Sequence, residues 1–347
     1  LNRIGDVLTV ARKARGITQV ELADRLGVTQ ATVNRYENDM RMPDEETLDA
    51  LARELGVTTA FLVRGQRFVG ALAVDVHMRR QRTEKASVWR QLEARLNLLR
   101  LHSSLLFEEV SLHADQVVPT FDLLDTSAQD AARLTRAQWR LPIGPVTNLT
   151  RWLEAAGCLI FEEDFATRRV DGLSQWIGDH PVILINETLT ADRKRLTLAH
   201  ELAHLALHSI RSTDLLEDEA ADFAAEFLMP EHVIKVELRK IDLPKLVELK
   251  REWGVSMQAL FERAYRLGLV RHDQRTAFYR SMNARGWRTS EPVSDAVPEE
   301  HPELLAHIGS MLRSRGLKEP EIAEIAGYAP ERRDHPFQVH AHRLRAV

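Results

Sequence analysis

The sequence predicts a mainly α fold with a small β-sheet (α+β), and three observations carry that expectation. Apolar residues recur at three and four positions over most of the chain, the signature of helices with one buried face. The N-terminal stretch is cut into short helices by capping residues and glycines. Few runs read as strands, the clearest being Pro181 to Asn186 (PVILIN), and no tandem repeat is found.

The first element in order is Ile17 to Asn38. Thr18 with Glu21 makes a capping box, Gly27 breaks the first helix, and Thr29 caps a second helix holding Gln30, Thr32, Asn34 and Arg35. This is helix-turn-helix spacing, and Leu22, Ala23, Leu26, Val28 and Val33 are small or branched enough for two short helices to cross closely. Leu48, Leu51, Leu55, Val57 and Phe61 complete a small bundle over residues 1–65. The segment closely resembles the Cro/CI-type (XRE) DNA-binding domain. That resemblance implies double-stranded DNA as partner, with the second helix in the major groove, Gln30 and Arg35 reading bases, and Thr29 and Thr32 at the same helix end. Gln19 begins the preceding helix, where phosphate is met, and Ala31 could only touch a thymine methyl. Residues 1–65 hold nine Arg plus Lys against ten Asp plus Glu. Binding therefore rests on local placement of Arg12, Lys13, Arg15, Arg35 and Arg41 and should be salt-sensitive.

Residues 66–124 read as a short extended piece, then a helix from about Arg82 to Leu101 and another near Ser104 to His113. This segment is expected to space or dimerise the head, with Arg79-Arg80-Gln81-Arg82 as a solvated face or phosphate contact. A helix over Ser127 to Trp139, capped by Asp125 or Thr126, and then Pro142 and Pro145, mark entry into a unit spanning 125–270.

The most informative feature lies inside that unit. His200-Glu201-Leu202-Ala203-His204 is an H-E-x-x-H motif in a helical stretch, Arg193 to His208, without Pro or Gly. Histidines four apart on a helix point the same way, so both imidazoles reach one metal while Glu201 lies over the open position. Two imidazoles and one further carboxylate ligand would leave a divalent metal one place for water, whose pKa falls from about 16 towards about 7. Glu201 can then take the proton and pass it to a leaving amine, which is peptide hydrolysis. Solvated His and Glu on a surface helix are the bland alternative. Leu196, Leu198, Ala199, Leu202, Leu205 and Leu207 argue against it, because they make the helix apolar nearly all round.

A third ligand is expected from the next helical segment, Leu215 to Met229, where Glu217 and Glu219 are the candidates by position. A metzincin site is excluded, because Ile210 stands where a third His is needed and Leu207 where a Gly is. His208 is one turn on and reads as a hydrogen-bond partner of a ligand or as solvated. The runs TLAHELAHLALH (Thr197 to His208) and EDEAADFAAEFLMP (Glu217 to Pro230) resemble the ImmA/IrrE family of zinc metallopeptidases, and similarity extends over roughly Pro142 to Gly268. The resemblance implies a zincin-like metallopeptidase domain holding Zn2+, with His200, His204 and Glu217 as ligands and Glu201 as the catalytic residue. Where the family usually carries Asn, this chain has Ala221. PVILIN, beside the metal helix, is expected to pair with an extended substrate chain.

Past Gly268, Gln274 to Arg288 looks helical, Glu291 to Pro302 is a proline-rich loop, and a small helical tail completes residues 271–347. There Gly316 to Gly327 echoes a helix-turn-helix start, with core packing the better reading. His301, His307, His335, His340 and His342 read as solvated rather than as a second metal site.

Composition fits a regulator. The 347 residues allow two or three domains, and a net charge of −4 argues against a broadly polyanion-binding chain. Cys158 is alone, so no intrachain disulfide forms and a reducing, cytoplasmic location is expected. No apolar run approaches the roughly eighteen residues of a membrane span, and Leu1-Asn2-Arg3-Ile4 lacks a signal-peptide core, so neither membrane nor export is expected. The resembled peptidases cut Cro/CI-type repressors. The leading reading is therefore a DNA-binding regulator, expected as a homodimer on paired half-sites, that cleaves a repressor or itself by zinc-dependent endoproteolysis. The alternative is a non-proteolytic, antitoxin-like repressor whose zinc domain senses or stabilises; three ligands plus a spare acid favour catalysis.

Overall fold

The head forms where the caps place it. In the computed structural model, which describes residues 4–64, 85–111, 113–208 and 215–338, the Thr18 hydroxyl accepts from the Glu21 amide and the Glu21 carboxylate accepts from the Thr18 amide. This capping box starts α2 (Gln19–Leu26) and left-handed Gly27 ends it. Thr29 caps α3 (Gln30–Glu37), and α1 (Gly5–Ala14), α4 (Glu45–Leu55) and α5 (Thr59–Arg64) close a core on Leu22, Val33, Leu51 and Phe61.

The next helix differs from expectation. The two helices predicted around residues 82–101 and 104–113 are one, α6 (Ala86–Glu109), because the Ser103 hydroxyl donates to the Leu99 carbonyl inside the helix instead of ending it. Leu101 and Leu105 of α6 join the head's core, while Trp89, Leu92, Leu96 and Leu106 join the core beneath the sheet. The connecting helix thus packs on both units. The run Arg79-Arg80-Gln81-Arg82 and the extended piece before it lie outside the described residues.

Ser127, and not Asp125 or Thr126, caps α7 (Ala128–Gln138). After α8 (Leu149–Ala155) come β1 (Leu159–Glu163), β2 (Gly172–Ile177) and β3 (His180–Asn186), in sheet order β1-β3-β2, with β3 parallel to β1 and antiparallel to β2. Alternation sorts the sheet's side chains. Leu159, Phe161, Leu173, Val182 and Leu184 face α6, whereas Ile160, Ile183 and Ile185 face the helices on the other side. Those helices are α9 (Ala191–Leu207), α10 (Leu216–Leu228), α11 (Glu231–Glu237), α12 (Leu243–Trp253), α13 (Met257–Arg266) and α14 (His272–Ala284).

The C-terminal helices α15 (Leu304–Ser314) and α16 (Glu319–Ile325) put Ile308, Leu312, Ile322 and Ala323 into the core beneath the sheet. The echo noticed in Gly316 to Gly327 is therefore packed as core. Beyond it, Tyr328 forms an antiparallel bridge with Val57, flanked by Thr58 amide to Gly327 carbonyl (3.0 Å) and Ala329 amide to Gly56 carbonyl (3.3 Å). The head is thereby clamped to the C-terminal segment. His340 and His342 lie outside the described residues, and among the described residues no helix is long and apolar enough to cross a membrane.

Candidate metal centre and nucleic-acid interface

Helix α9 is buried almost throughout, so its polar residues need partners from the elements around it. His200 and His204, four apart, bring their Nε2 atoms to 3.1 Å from each other. Glu217, at the start of α10, lies 3.4 Å from His200 Nε2 and 3.7 Å from His204 Nε2. These three residues form the one group of metal-ligand type found among the described residues, their ligand atoms all within 4.8 Å. Zinc bonds of about 2.0–2.1 Å in a tetrahedral set separate ligand atoms by about 3.3–3.4 Å, so the donor set fits that ion in type and in spacing.

A hydrogen-bond chain orients His204. Its Nδ1 lies 3.0 Å from His208 Nδ1, and His208 Nε2 lies 3.1 Å from Glu219 Oε2. Because the carboxylate can only accept, His208 carries its proton on Nε2 and its Nδ1 accepts from His204, which leaves the His204 Nε2 lone pair facing His200 and Glu217. The two acids left open by helical position thus occupy different places: Glu217 beside the paired histidines, Glu219 behind His208.

Glu201 is buried beside this pair, and the Ser174 hydroxyl of β2 donates to its Oε2 at 2.7 Å. Ser174 was missed in the sequence, although the alternation of Gly172, Ser174 and Trp176 places all three on the α9 side; the Trp176 indole donates to the Leu205 carbonyl at 3.1 Å. Gly172 is there for room. A Cβ would stand 2.8 Å from Thr197 Cγ2 and 3.2 Å from Glu201 Cγ. Gly172→Ala is expected to push Glu201 off its Ser174 contact and lower any turnover by about tenfold to a hundredfold while the fold persists, read as kcat beside an unchanged far-UV CD spectrum.

A cleft of about 670 Å³ opens over His200 and Glu201, with Asp171, Thr197, Ala221 and Gln258 among its walls. Ala221 faces the cavity, so no polar side chain stands where the resembled family has Asn. The segment 288–294 forms one rim and is held from below by Lys250. This fully buried ammonium lies 2.8 Å from Asp192 Oδ2, 2.9 Å from Glu291 Oε2 and 2.7 Å from Ser294 Oγ. Glu291 also accepts from the Met257 and Gln258 amides at the start of α13. No sequence motif pointed to this network.

The expected role of Pro181 to Asn186 is corrected here. As β3 it is the central strand, bonded on both sides, and has no edge to offer a substrate. The strand with a free edge near the metal helix is β2. The Asn186 amide donates to the Asp171 carbonyl, which sets the alternation so that Leu173, Gln175 and Ile177 bond to β3 while the backbone groups of Gly172, Ser174 and Trp176 face outward.

In the head, Thr29, Gln30, Ala31, Asn34 and Arg35 are exposed and Thr32 half-buried along α3. Gln30 Nε2 donates to Gln19 Oε1 at 2.7 Å, and Gln19 Nε2 to Glu37 Oε2 at 2.7 Å, while Glu37 also accepts from Arg12. The two glutamines at the N-terminal ends of α2 and α3 are therefore held as one polar unit, and the Thr32 hydroxyl lies 2.9 Å from that of Thr29. Arg12 is spent on Glu37. Arg41 rests over the Tyr36 ring at 5.9 Å, which leaves Arg35 as the exposed cation on α3 itself.

Comparison with known proteins agrees with both parts. Residues 10–62 match a family model described as helix-turn-helix, and residues 153–265 match the peptidase-family model described as the IrrE N-terminal-like domain. Among curated proteins, an SPbeta prophage-derived uncharacterized HTH-type transcriptional regulator, YonR, of Bacillus subtilis (strain 168) is 39% identical over 61 residues, 18% of this chain and 56% of that protein. A second uncharacterized HTH-type transcriptional regulator of the same organism, YqaE, is 36% identical over 59 residues, 17% of this chain and 51% of that protein. The chain spans about half the length of these relatives, and the matches cover its head alone. The chain carries an XRE-type helix-turn-helix domain at its N-terminus and, after it, a domain of the IrrE N-terminal-like peptidase family.

Proposed function

We propose that this chain is a DNA-binding transcriptional regulator whose second domain is a zinc-dependent endopeptidase that cuts a Cro/CI-type repressor, or the chain itself. The observation that carries the reading is the convergence of His200, His204 and Glu217 beside Glu201, with His200 and Glu201 lining an open cleft. In this assignment the first three hold Zn2+ and Glu201 is catalytic. The head is 1–65, the connecting segment 66–124, the peptidase 125–270, and 271–347 is a helical C-terminal region, of which α15 and α16 pack beneath the sheet.

Bound there, zinc would supply Lewis acidity for the scissile carbonyl and an acidified water. The chain's own residues do the rest. An extended segment of substrate adds to the free edge of β2, where the outward backbone groups of Gly172, Ser174 and Trp176 bond it across the cleft mouth. Only a locally unfolded or flexible segment can do so. Glu201, fixed by Ser174, takes a proton from water and delivers it to the leaving amine. Zinc content per chain, followed by incubation of the wild type and Glu201→Gln with Cro/CI-type repressors, tests the proposal. Cleavage that depends on Glu201 supports it; a chain that retains zinc yet cuts nothing points to the non-proteolytic regulator instead.

On the DNA side, Thr29, Gln30, Thr32 and Arg35 are assigned to the groove and Gln19 to phosphate, with a homodimer presenting two heads to paired half-sites. Gln30→Ala removes a bidentate base reader and the partner of Gln19, so affinity for the cognate operator is expected to fall by about 1–3 kcal/mol, with little change on unrelated duplex. Fluorescence anisotropy at fixed salt checks this, and equal weakening on both duplexes would remove Gln30 from the reading set.

A further inference from the structure

A second cavity, about 320 Å³, shares no residue with the metal cleft and lies where the head, α6, the end of β1 and the C-terminal segment meet. Arg15 comes from the head, Arg95 and His102 from α6, Glu163 from β1, and Tyr328 and Arg332 from beyond α16. Three arginines and two acidic residues, Glu163 and Asp164, therefore line it. The tips of Arg15 and Arg332 converge: a Cβ built on Gly56 would stand 3.0 Å from one Nη1 and 3.9 Å from the other. Asp334 holds Arg332 by its Nε at 2.9 Å, and Arg15 donates to the Leu55 carbonyl at 3.4 Å. Arg95 donates to the Asp164 carbonyl and lies 3.6 Å from Glu163 Oε2. Cations brought this close repel one another unless an anion joins them.

The imidazole of His102 supplies the second, independent observation. It is sandwiched between Phe61, at 4.4 Å, and Tyr328, at 3.7 Å, and is fully buried. Its Nδ1 lies 2.6 Å from the Ala326 carbonyl, which can only accept, so Nδ1 carries the hydrogen and Nε2 a lone pair. Burial pushes the ring's pKa down to about 3, which keeps it neutral at physiological pH. Nε2 is buried with no hydrogen-bond partner among the described residues. With both ring faces covered and the Nδ1 corner taken, only the remaining edge of the ring could take a partner, and His102 is among the residues around the cavity. A lone acceptor there calls for a donor, and Arg15, which forms no ion pair among the described residues, calls for negative charge.

We propose that this junction cavity binds a small oxyanion, the phosphate or carboxylate group of a metabolite that also offers a hydroxyl to His102. The anion neutralises Arg15 and is bonded as well by the Nη side of Arg332, whose Nε Asp334 holds, and its hydroxyl donates to the buried nitrogen. DNA is not the occupant, since this side of the head faces α6: Gln91 Nε2 donates to the Ala14 carbonyl at 3.5 Å and approaches Gly16. Because the walls come from the head, the connecting helix and the C-terminal segment, the bound anion ties the DNA-binding domain to the body and makes their joint sensitive to a metabolite.

The full chain is titrated calorimetrically with inorganic phosphate, glycerol 3-phosphate and glycolate at constant ionic strength. One-to-one binding is expected, the phosphate probes or glycolate prevailing according to the source of the oxyanion. Arg15→Gln and Arg332→Gln are each expected to weaken it about tenfold or more, with far-UV CD unchanged. Two separate variants keep the test open if one fails to fold. Arg285→Gln, on an exposed turn away from the cavity, should leave binding as it is. Absence of saturable binding by all three probes up to about 10 mM, or equal weakening by Arg285→Gln, overturns the proposal.

Discussion

Glu201→Gln is expected to lower peptide cleavage by about a hundredfold to ten-thousandfold while zinc content stays at the wild-type value. The separation of the two readouts follows from the geometry. Glu201 is not among the three side chains whose donor atoms converge, so replacing it removes no ligand. Its carboxylate oxygen receives the Ser174 hydroxyl at 2.7 Å, a bond that the amide oxygen of Gln can still accept. The fold and the cleft therefore persist. What is lost is a base, since an amide cannot take a proton from water or return one to the leaving amine. Ser174→Ala should cost less, about tenfold, because it leaves the base in place but unanchored. Metal analysis alongside cleavage of a flexible protein substrate measures both. Wild-type turnover in Glu201→Gln would be incompatible with its assignment, and loss of zinc in that variant would move Glu201 among the ligands.

How far the sequence discloses this site depends on how local each relation is. His200, Glu201 and His204 share one helix, so their spacing alone fixes their common direction. Glu217 and Glu219 share the next helix, yet spacing along it cannot say which turn of α9 each acid meets; in the structure Glu217 adjoins the paired histidines and Glu219 backs His208. Ser174 and Lys250 stand further from their partners along the chain and carry no motif. An isolated Ser on a strand and a Lys on an amphipathic helix look solvated until the strand and helix are packed. Sheet order is likewise non-local. PVILIN announces a strand by composition, but only the pairing shows that it is central and that β2 holds the free edge. The head was the most legible part, because its caps, glycines and apolar positions act within a few residues of one another. In the tail, helical pattern and the packing of Gly316 to Gly327 into a core were legible and the identity of that core was not: α15 and α16 are short and owe their place to the core beneath the sheet.

Lys250→Ala is expected to destabilise the protein by about 3–5 kcal/mol, the range for breaking a buried ion pair from one side. The ammonium is fully buried and bonds two carboxylates and a hydroxyl, so its removal leaves Asp192 and Glu291 facing each other out of water. Asp192 Oδ1 is already buried with no hydrogen-bond partner among the described residues, which raises its dependence on Lys250. The exposed Lys235–Glu231 pair provides the contrast. It sits one helical turn apart in solvent at 2.8 Å, and Lys235→Ala should cost less than about 1 kcal/mol. Urea denaturation of the two variants compares a buried hub with a surface pair of similar length. The location of the hub adds a functional consequence. Asp192 belongs to the first turn of α9, which carries the histidines, while Glu291 caps α13 and anchors the rim of the cleft. Lys250→Ala should therefore loosen the rim and raise KM for a peptide substrate more than it lowers kcat, provided the assay temperature keeps the variant folded. Equal stability losses at Lys235 and Lys250 would show that the buried ammonium does not hold the rim to the metal helix.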